Sequence, residues 1–190
     1  MNEVMDALVN RRSVRKYKAE AVPEELVKEI VEAGLYAPSG MGYQKPVILA
    51  VTDKEARDEL SDLNRKAGGW KEGFDPFYGA PVVISVLTPK DWDKGVEDGS
   101  LAIGQMLLAA HALGLGGCWI HRAKEVFETE EGKEILKKAG LEGEYLGIGT
   151  WSSVMQTNSR RQLQEKQDAD FSLNNFIIIR AGKPPCGNRE

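Results

Sequence analysis

Three short segments concentrate the residue types that bind or transform small molecules. The first is Arg11-Arg12-Ser13-Val14-Arg15-Lys16-Tyr17, where three guanidinium groups and a hydroxyl fall within seven residues. Arginine forks match phosphate oxygens and serine adds a hydrogen bond, so this segment suits an anionic group. The competing reading is a solvated basic turn, or a helix-end charge that complements the macrodipole; spacing alone favours that one. The second segment is Ala37-Pro38-Ser39-Gly40-Met41-Gly42-Tyr43-Gln44, directly before a strongly apolar run. Its small residues would let a flat ligand approach the backbone, and Gln44 offers both a donor and an acceptor to a ring edge. Pro, Ser and Gly also make ordinary turns. The third runs from Gly114 to Arg122, a Gly-rich turn feeding a short strand that ends in His121 and Arg122. Polar side chains at a strand end are common site residues, although a lone histidine is more often structural. His111, on an apolar helix, reads as a satisfied core histidine.

Other chemistries find little footing. The chain lacks HExxH, GxSxG, Walker-A and GxGxxG patterns, which closes the usual routes to zinc protease, hydrolase, NTPase and Rossmann dehydrogenase. Its two histidines form no Cys/His cluster, so no metal site is expected. Net charge is −4 over 190 residues, which opposes general nucleic-acid binding because phosphate affinity comes chiefly from Lys and Arg. Cys118 and Cys186 lie far apart and the start is not leader-like, so a reducing cytoplasm is the expected setting. No apolar run approaches the ~20 residues of a membrane span. The length fits one domain.

Periodicity supplies the elements that position the three segments. Met5, Leu8 and Val9 mark a short amphipathic helix ending near Arg11-Arg12. Pro23, Glu24 and Glu25 open a second helix with Leu26, Ile30, Val31 and Leu35 on its apolar face, and Ala37-Pro38 stops it. Residues 46–52 and 81–88 read as buried strands on either side of a charged helix, Lys54 to Lys66. Between that helix and the second strand, Ala67 to Ala80 is Gly-rich and aromatic without a period. It is a candidate mobile cover over a pocket, or an ordinary packed connection. Ser100 to Leu113 is apolar almost all round, and in so short a chain a partner subunit is the simplest way to bury it. A third strand (Gly116 to Ile120), a helix (Lys124 to Ala139) and a fourth strand (Tyr145 to Gly149) follow. Because two helices precede the first strand, an α+β sheet covered by helices fits better than a doubly wound one.

In this order and spacing the strings RRSVRKY, APSGMGYQ, LGLGGCWIHR and YLGIG resemble the nitroreductase family, over about Met1 to Gly149. The resemblance implies an α+β sandwich with a central, mostly antiparallel sheet flanked by helices. It also implies an intertwined homodimer with FMN at the subunit interface. By position, Arg11, Arg12, Ser13 and Arg15 would hold the FMN phosphate and ribityl chain. Pro38, Ser39 and Gly40 would lie by the isoalloxazine from the partner chain, with Gln44 at its polar edge, and His121 and Arg122 would face the flavin. Gly42 departs from the family, many members of which carry Asn there. The implied activity is ping-pong: NAD(P)H reduces the flavin and leaves, and a nitroaromatic, quinone or related small acceptor takes the electrons. No catalytic protein residue is implied, since the cofactor carries the redox chemistry.

After Gly149 the resemblance stops. Family members continue with a Gly-Tyr turn, a Pro-containing segment and a Lys- or Arg-bearing stretch that reaches the FMN phosphate. Here residues 150–190 are rich in Gln, Ser, Asn and Arg. Read in a displaced frame, Thr150 to Gln167 can encode LVLGYADELPAAAARKA, which looks like the missing ending. Val154-Met155-Gln156 yields Gly-Tyr-Ala, and Leu163-Gln164-Glu165-Lys166 yields Ala-Ala-Arg-Lys. The tail then reads as an out-of-frame product, not a separate domain, with weaker dimerisation and FMN retention expected; the alternative is a lineage-specific tail. Phe176 to Ile179 is a candidate edge strand. Two other functions stay open at this point: a degenerate flavin-binding protein with little turnover, and an anion- or nucleic-acid-binding module using the Arg11–Lys18 patch.

Overall fold

Successive residues of a strand face opposite sides of a sheet, and β1 (Val47–Val51) is apolar at every position. Val47, Leu49 and Val51 accordingly enter one apolar cluster, and Ile48 and Ala50 the other. Both faces of the sheet are therefore covered, which is why its strands read as continuous apolar runs without polar alternation. The structure, a computed structural model, describes residues 2–16 and 20–155 and the backbone of a strand at 176–180. Tyr17 and Lys18 of the basic patch, Cys186 and most of the tail lie outside the described residues.

Five strands stand in the order β3-β4-β2-β1-β5. Besides β1 they are β2 (Val82–Pro89), β3 (Leu115–Ile120), β4 (Tyr145–Met155) and β5 (Phe176–Arg180), and every neighbouring pair is antiparallel. On one face lie α2 (Glu24–Leu35) and α4 (Gly95–Ala112), with Ile30, Ile103 and Met106 fully buried. On the other lie α3 (Lys54–Ala67), α5 (Ala123–Glu128) and α6 (Glu130–Lys138), with Leu60, Val126 and Ile135 inside. This is the expected α+β architecture, an antiparallel sheet flanked by helices.

Three elements depart from the sequence expectation. The helix expected to begin at Ser100 starts at Gly95; its first turn carries Glu97 and Asp98, so the apolar pattern begins one turn late. The helix expected over Lys124 to Ala139 is two, because Thr129 is extended (φ −73°, ψ 157°) and its hydroxyl accepts the Gly132 N–H as a new N-cap. The fourth strand continues to Met155 and pairs on both sides, with Ile84 and Trp119 both opposite Trp151. Its polar residues conceal it from a search for apolar alternation. The candidate edge strand is present as β5, antiparallel to β1.

The segment from Ala67 to Ala80 is a packed connection at its base. Asp75 accepts from the Arg57 guanidinium, Ser61 Oγ and the Phe77 and Gly79 amides, while Phe77 is fully buried. Above that base Trp70, Phe74 and Tyr78 form a ring ladder with centroid spacings of 5.2 and 6.4 Å. Cys118 is buried in β3, as a small hydrophobe would be, whereas His111 is only partly buried at the end of α4. Among the described residues no helix is long and apolar enough to cross a membrane, and no group of three or more His, Cys, Asp or Glu is placed to hold a metal ion.

Candidate functional site

The basic segment leaves α1 (Glu3–Asn10) and docks along β3. Ser13 bridges Gly117 in parallel, and the Val14 N–H donates to the Gly117 carbonyl at 3.1 Å. Two glycines make this approach possible. A Cβ on Gly116 would come within 3.0 Å of Val14, and one on Gly117 within 2.8 Å of the Trp151 ring. The glycines of the third sequence segment are thus the seat of the first. Arg11 is half-buried there, and its Nη1 is buried with no hydrogen-bond partner among the described residues. A buried donor left unsatisfied costs about 1–3 kcal/mol; an anionic oxygen would satisfy it. Ser13 and Arg15 are exposed beside it. Arg12 is placed differently: its Nη1 donates to the Val9 and Arg11 carbonyls, both at 2.8 Å. That contact caps the end of α1 with one nitrogen of Arg12.

The loop after α2 is held in an unusual backbone conformation. Met41, Gly42 and Gln44 have φ of 54°, 68° and 47°, a region costly for residues with a Cβ. Ser39 Oγ accepts the Gln44 N–H at 3.0 Å, and Gln44 Nε2 donates to the Leu35 and Ala37 carbonyls at 2.9 and 3.1 Å. Gln44 therefore caps the end of α2 with the donor half of its amide. Asp98, in the first turn of α4, accepts the Gly40 N–H through Oδ1 and Trp92 Nε1–H through Oδ2, each at 2.8 Å. Sequence reasoning missed Asp98. The signal was present: Asp98, Ala102 and Met106 fall four apart on the buried side of α4, and a carboxylate in such a stripe requires partners.

At the far end of β3 the two polar residues are pinned from α3 and from the aromatic loop. Asn64 Nδ2 donates to the His121 carbonyl at 2.9 Å, and the Arg122 guanidinium lies 4.5 Å from the Trp70 ring centroid. Arg122 has φ 79°, another left-handed residue with a Cβ. His121 is exposed, its ring 6.2 Å from that of Trp119. The structure thus unites the first and third segments along one strand, whereas the loop Ser39–Gln44 is tied to the end of α2, to Trp92 and to Asp98 of α4.

The architecture is an α+β protein: an antiparallel sheet covered by helices, with a buried arginine nitrogen unpartnered among the described residues beside an edge strand, and a loop of small residues in left-handed conformations. The chain belongs to the nitroreductase family, which it matches over residues 8–150. It is 31% identical over 134 residues to an FMN reductase (NAD(P)H) of Bacillus subtilis, a match covering 61% of this chain and 53% of that protein. The chain spans little more than half the length of that relative. Among solved structures it is similar to a nitroreductase with bound FMN from Bacteroides fragilis, with a TM-score of 0.76, 27% identity, and coverage of 92% of this chain and 98% of the other. An FMN-dependent nitroreductase from Clostridium difficile gives a TM-score of 0.66 at 31% identity, covering 85% of this chain and 92% of the other.

Proposed function

We propose that this chain is an NAD(P)H-dependent, FMN-containing oxidoreductase of the cytoplasm that works as a homodimer. The observation that carries the reading is Arg11 Nη1, a buried donor without an acceptor among the described residues, in the segment that resembles the family's phosphate site. Arg11, Ser13 and Arg15 would hold the phosphate and ribityl chain. Pro38, Ser39, Gly40 and the Gln44 oxygen would meet the flavin of a second copy, and His121 and Arg122 would flank it from β3. Arg12, exposed and capping α1 through Nη1, would join Arg11, Ser13 and Arg15 with the rest of its guanidinium. When bound, FMN would supply the chemistry, taking hydride from NAD(P)H and reducing a nitroaromatic, quinone or related acceptor. No protein acid or base is assigned, since the chain's own groups bind, orient and exclude water.

A second copy is supported by the exposed apolar face of α1, where Val4, Met5, Leu8 and Val9 are each 45% or more exposed, and by exposed Val96 and Leu101 on α4. Exposed apolar patches of this kind mark association surfaces. Initial rates with NADPH and a nitroaromatic varied together are expected to give parallel double-reciprocal lines, because donor and acceptor use one site in turn. Intersecting lines contradict that shuttle.

A second reading, a degenerate flavin-binding member with little turnover, is favoured by one feature of β4. At and just past the end of the matched residues, Thr150, Ser152 and Ser153 are buried to 1% exposure or less, and Trp151 Nε1 and Ser153 Oγ have no hydrogen-bond partner among the described residues. The displaced frame encodes Leu-Val-Leu across Trp151 to Ser153. Buried strand positions call for aliphatic residues there, and orphaned polar atoms mark where they are missing. This supports an out-of-frame origin for residues 150–190 as one unit with the preceding domain.

A further inference from the structure

We propose that Asp98 is the positioning residue of the flavin-facing loop: its buried carboxylate, bridging Gly40 N–H and Trp92 Nε1–H, holds Ser39–Gln44 in the conformation that meets FMN. The inference rests on the functional reading above and names a residue that reading does not use. Asp98 is 3% exposed and its two bonds, both 2.8 Å, run to neutral donors. A carboxylate removed from water without a cation is costly, and its position in the first turn of α4 offsets only part of that cost. What it secures is local. Gly40 opens the turn in which Met41, Gly42 and, two residues on, Gln44 take positive φ, two of them with a Cβ. Such conformations persist only where surrounding contacts over-determine them. Ser39 Oγ and Gln44 Nε2 fix the far end of the turn, and Asp98 is the contact that fixes its start. Trp92 completes the clamp by packing against Tyr43 at 5.6 Å between ring centroids.

The test compares two full-length variants with wild type by their affinity for FMN. Asp98→Ala removes both acceptors, whereas Trp92→Phe removes one donor and leaves the Gly40 bond in place. Titration of the apoprotein with FMN is expected to show binding about tenfold weaker in Asp98→Ala, the loss that follows removal of a hydrogen bond to a charged group. Trp92→Phe should stay within about twofold of wild type, since the bond it lacks is not the one that sets the loop. A merely structural role for Asp98 would lower Tm without separating the two variants in FMN affinity. Asp98→Ala added to Trp92→Phe isolates the Gly40 bond with no indole donor orphaned, and serves where the single variant fails to fold. A wild-type protein that binds no FMN overturns the functional reading and this inference together. A flavin-binding wild type in which Asp98→Ala matches Trp92→Phe overturns this inference alone.

Discussion

Asp75→Ala is expected to destabilise the fold by about 3 kcal/mol, the low end of the range for breaking a buried ion pair, since Asp75 itself is only half-buried. Asp75 holds the Arg57 guanidinium, whose side chain is only 10% exposed, and also receives Ser61 Oγ and two backbone amides. Its removal strips four donors of an acceptor at once. The low end applies because Arg57 keeps Asp58 and the Ala80 carbonyl. In a chain of this size that loss corresponds to a fall in Tm of about 10 °C. Asp75→Asn should cost less, since it keeps an acceptor oxygen and the shape. The effect depends on pH. Burial raises the Asp75 pKa, but the bonds from Arg57, Ser61, Phe77 and Gly79 together outweigh it and hold the carboxyl below its ordinary value of 3.8. The group therefore contributes its full stability above 3.8 and loses it as pH falls through the lowered folded-state value. Urea unfolding of wild type and Asp75→Asn should show a gap at neutral pH that narrows in acid. A gap that widens in acid contradicts the assignment.

Replacing Thr150–Gln167 by the string of the displaced frame is expected to tighten FMN binding by about tenfold or more, the value of one recovered bond from a cation to phosphate. It should also shift the protein further toward dimer. The stability change combines opposing parts. Loss of the orphaned Trp151 Nε1 and Ser153 Oγ is favourable, but Trp151 is fully buried against Gly117, so a smaller side chain leaves space behind. FMN affinity is thus the cleaner readout. The coding DNA comes first: codons in Thr150–Gln167 whose third bases do not spell the hidden string remove the motive. Equal FMN affinity with the two endings contradicts the proposed cost of the altered tail.

Much of the architecture was legible because apolar runs and helix periodicity report burial directly. β1, β2 and α3 lie within a residue or two of their expected bounds. Where polar residues occupy buried positions the signal fails, as at the start of α4 and the far half of β4. The break at Thr129 was hidden because its capping hydroxyl interrupts an otherwise helical composition. For the site, the residue types of Arg11, Ser13, Gly40 and Gln44 pointed to a ligand, but only coordinates separate Arg11, with an orphaned donor, from Arg12, which caps its own helix. Asp75, Asn64 and Asp98 each also reach a partner 14 to 58 residues away in sequence, and the identity of such a partner is not written in any local pattern.

FMN binding and turnover are tested most directly by the visible spectrum of the purified protein after addition of FMN and removal of the excess, followed by NADPH under anaerobic conditions. Two retained flavin bands that bleach with NADPH and return with a nitroaromatic are expected, with no retained bands in Arg11→Ala. A wild-type protein that stays colourless contradicts the proposed function.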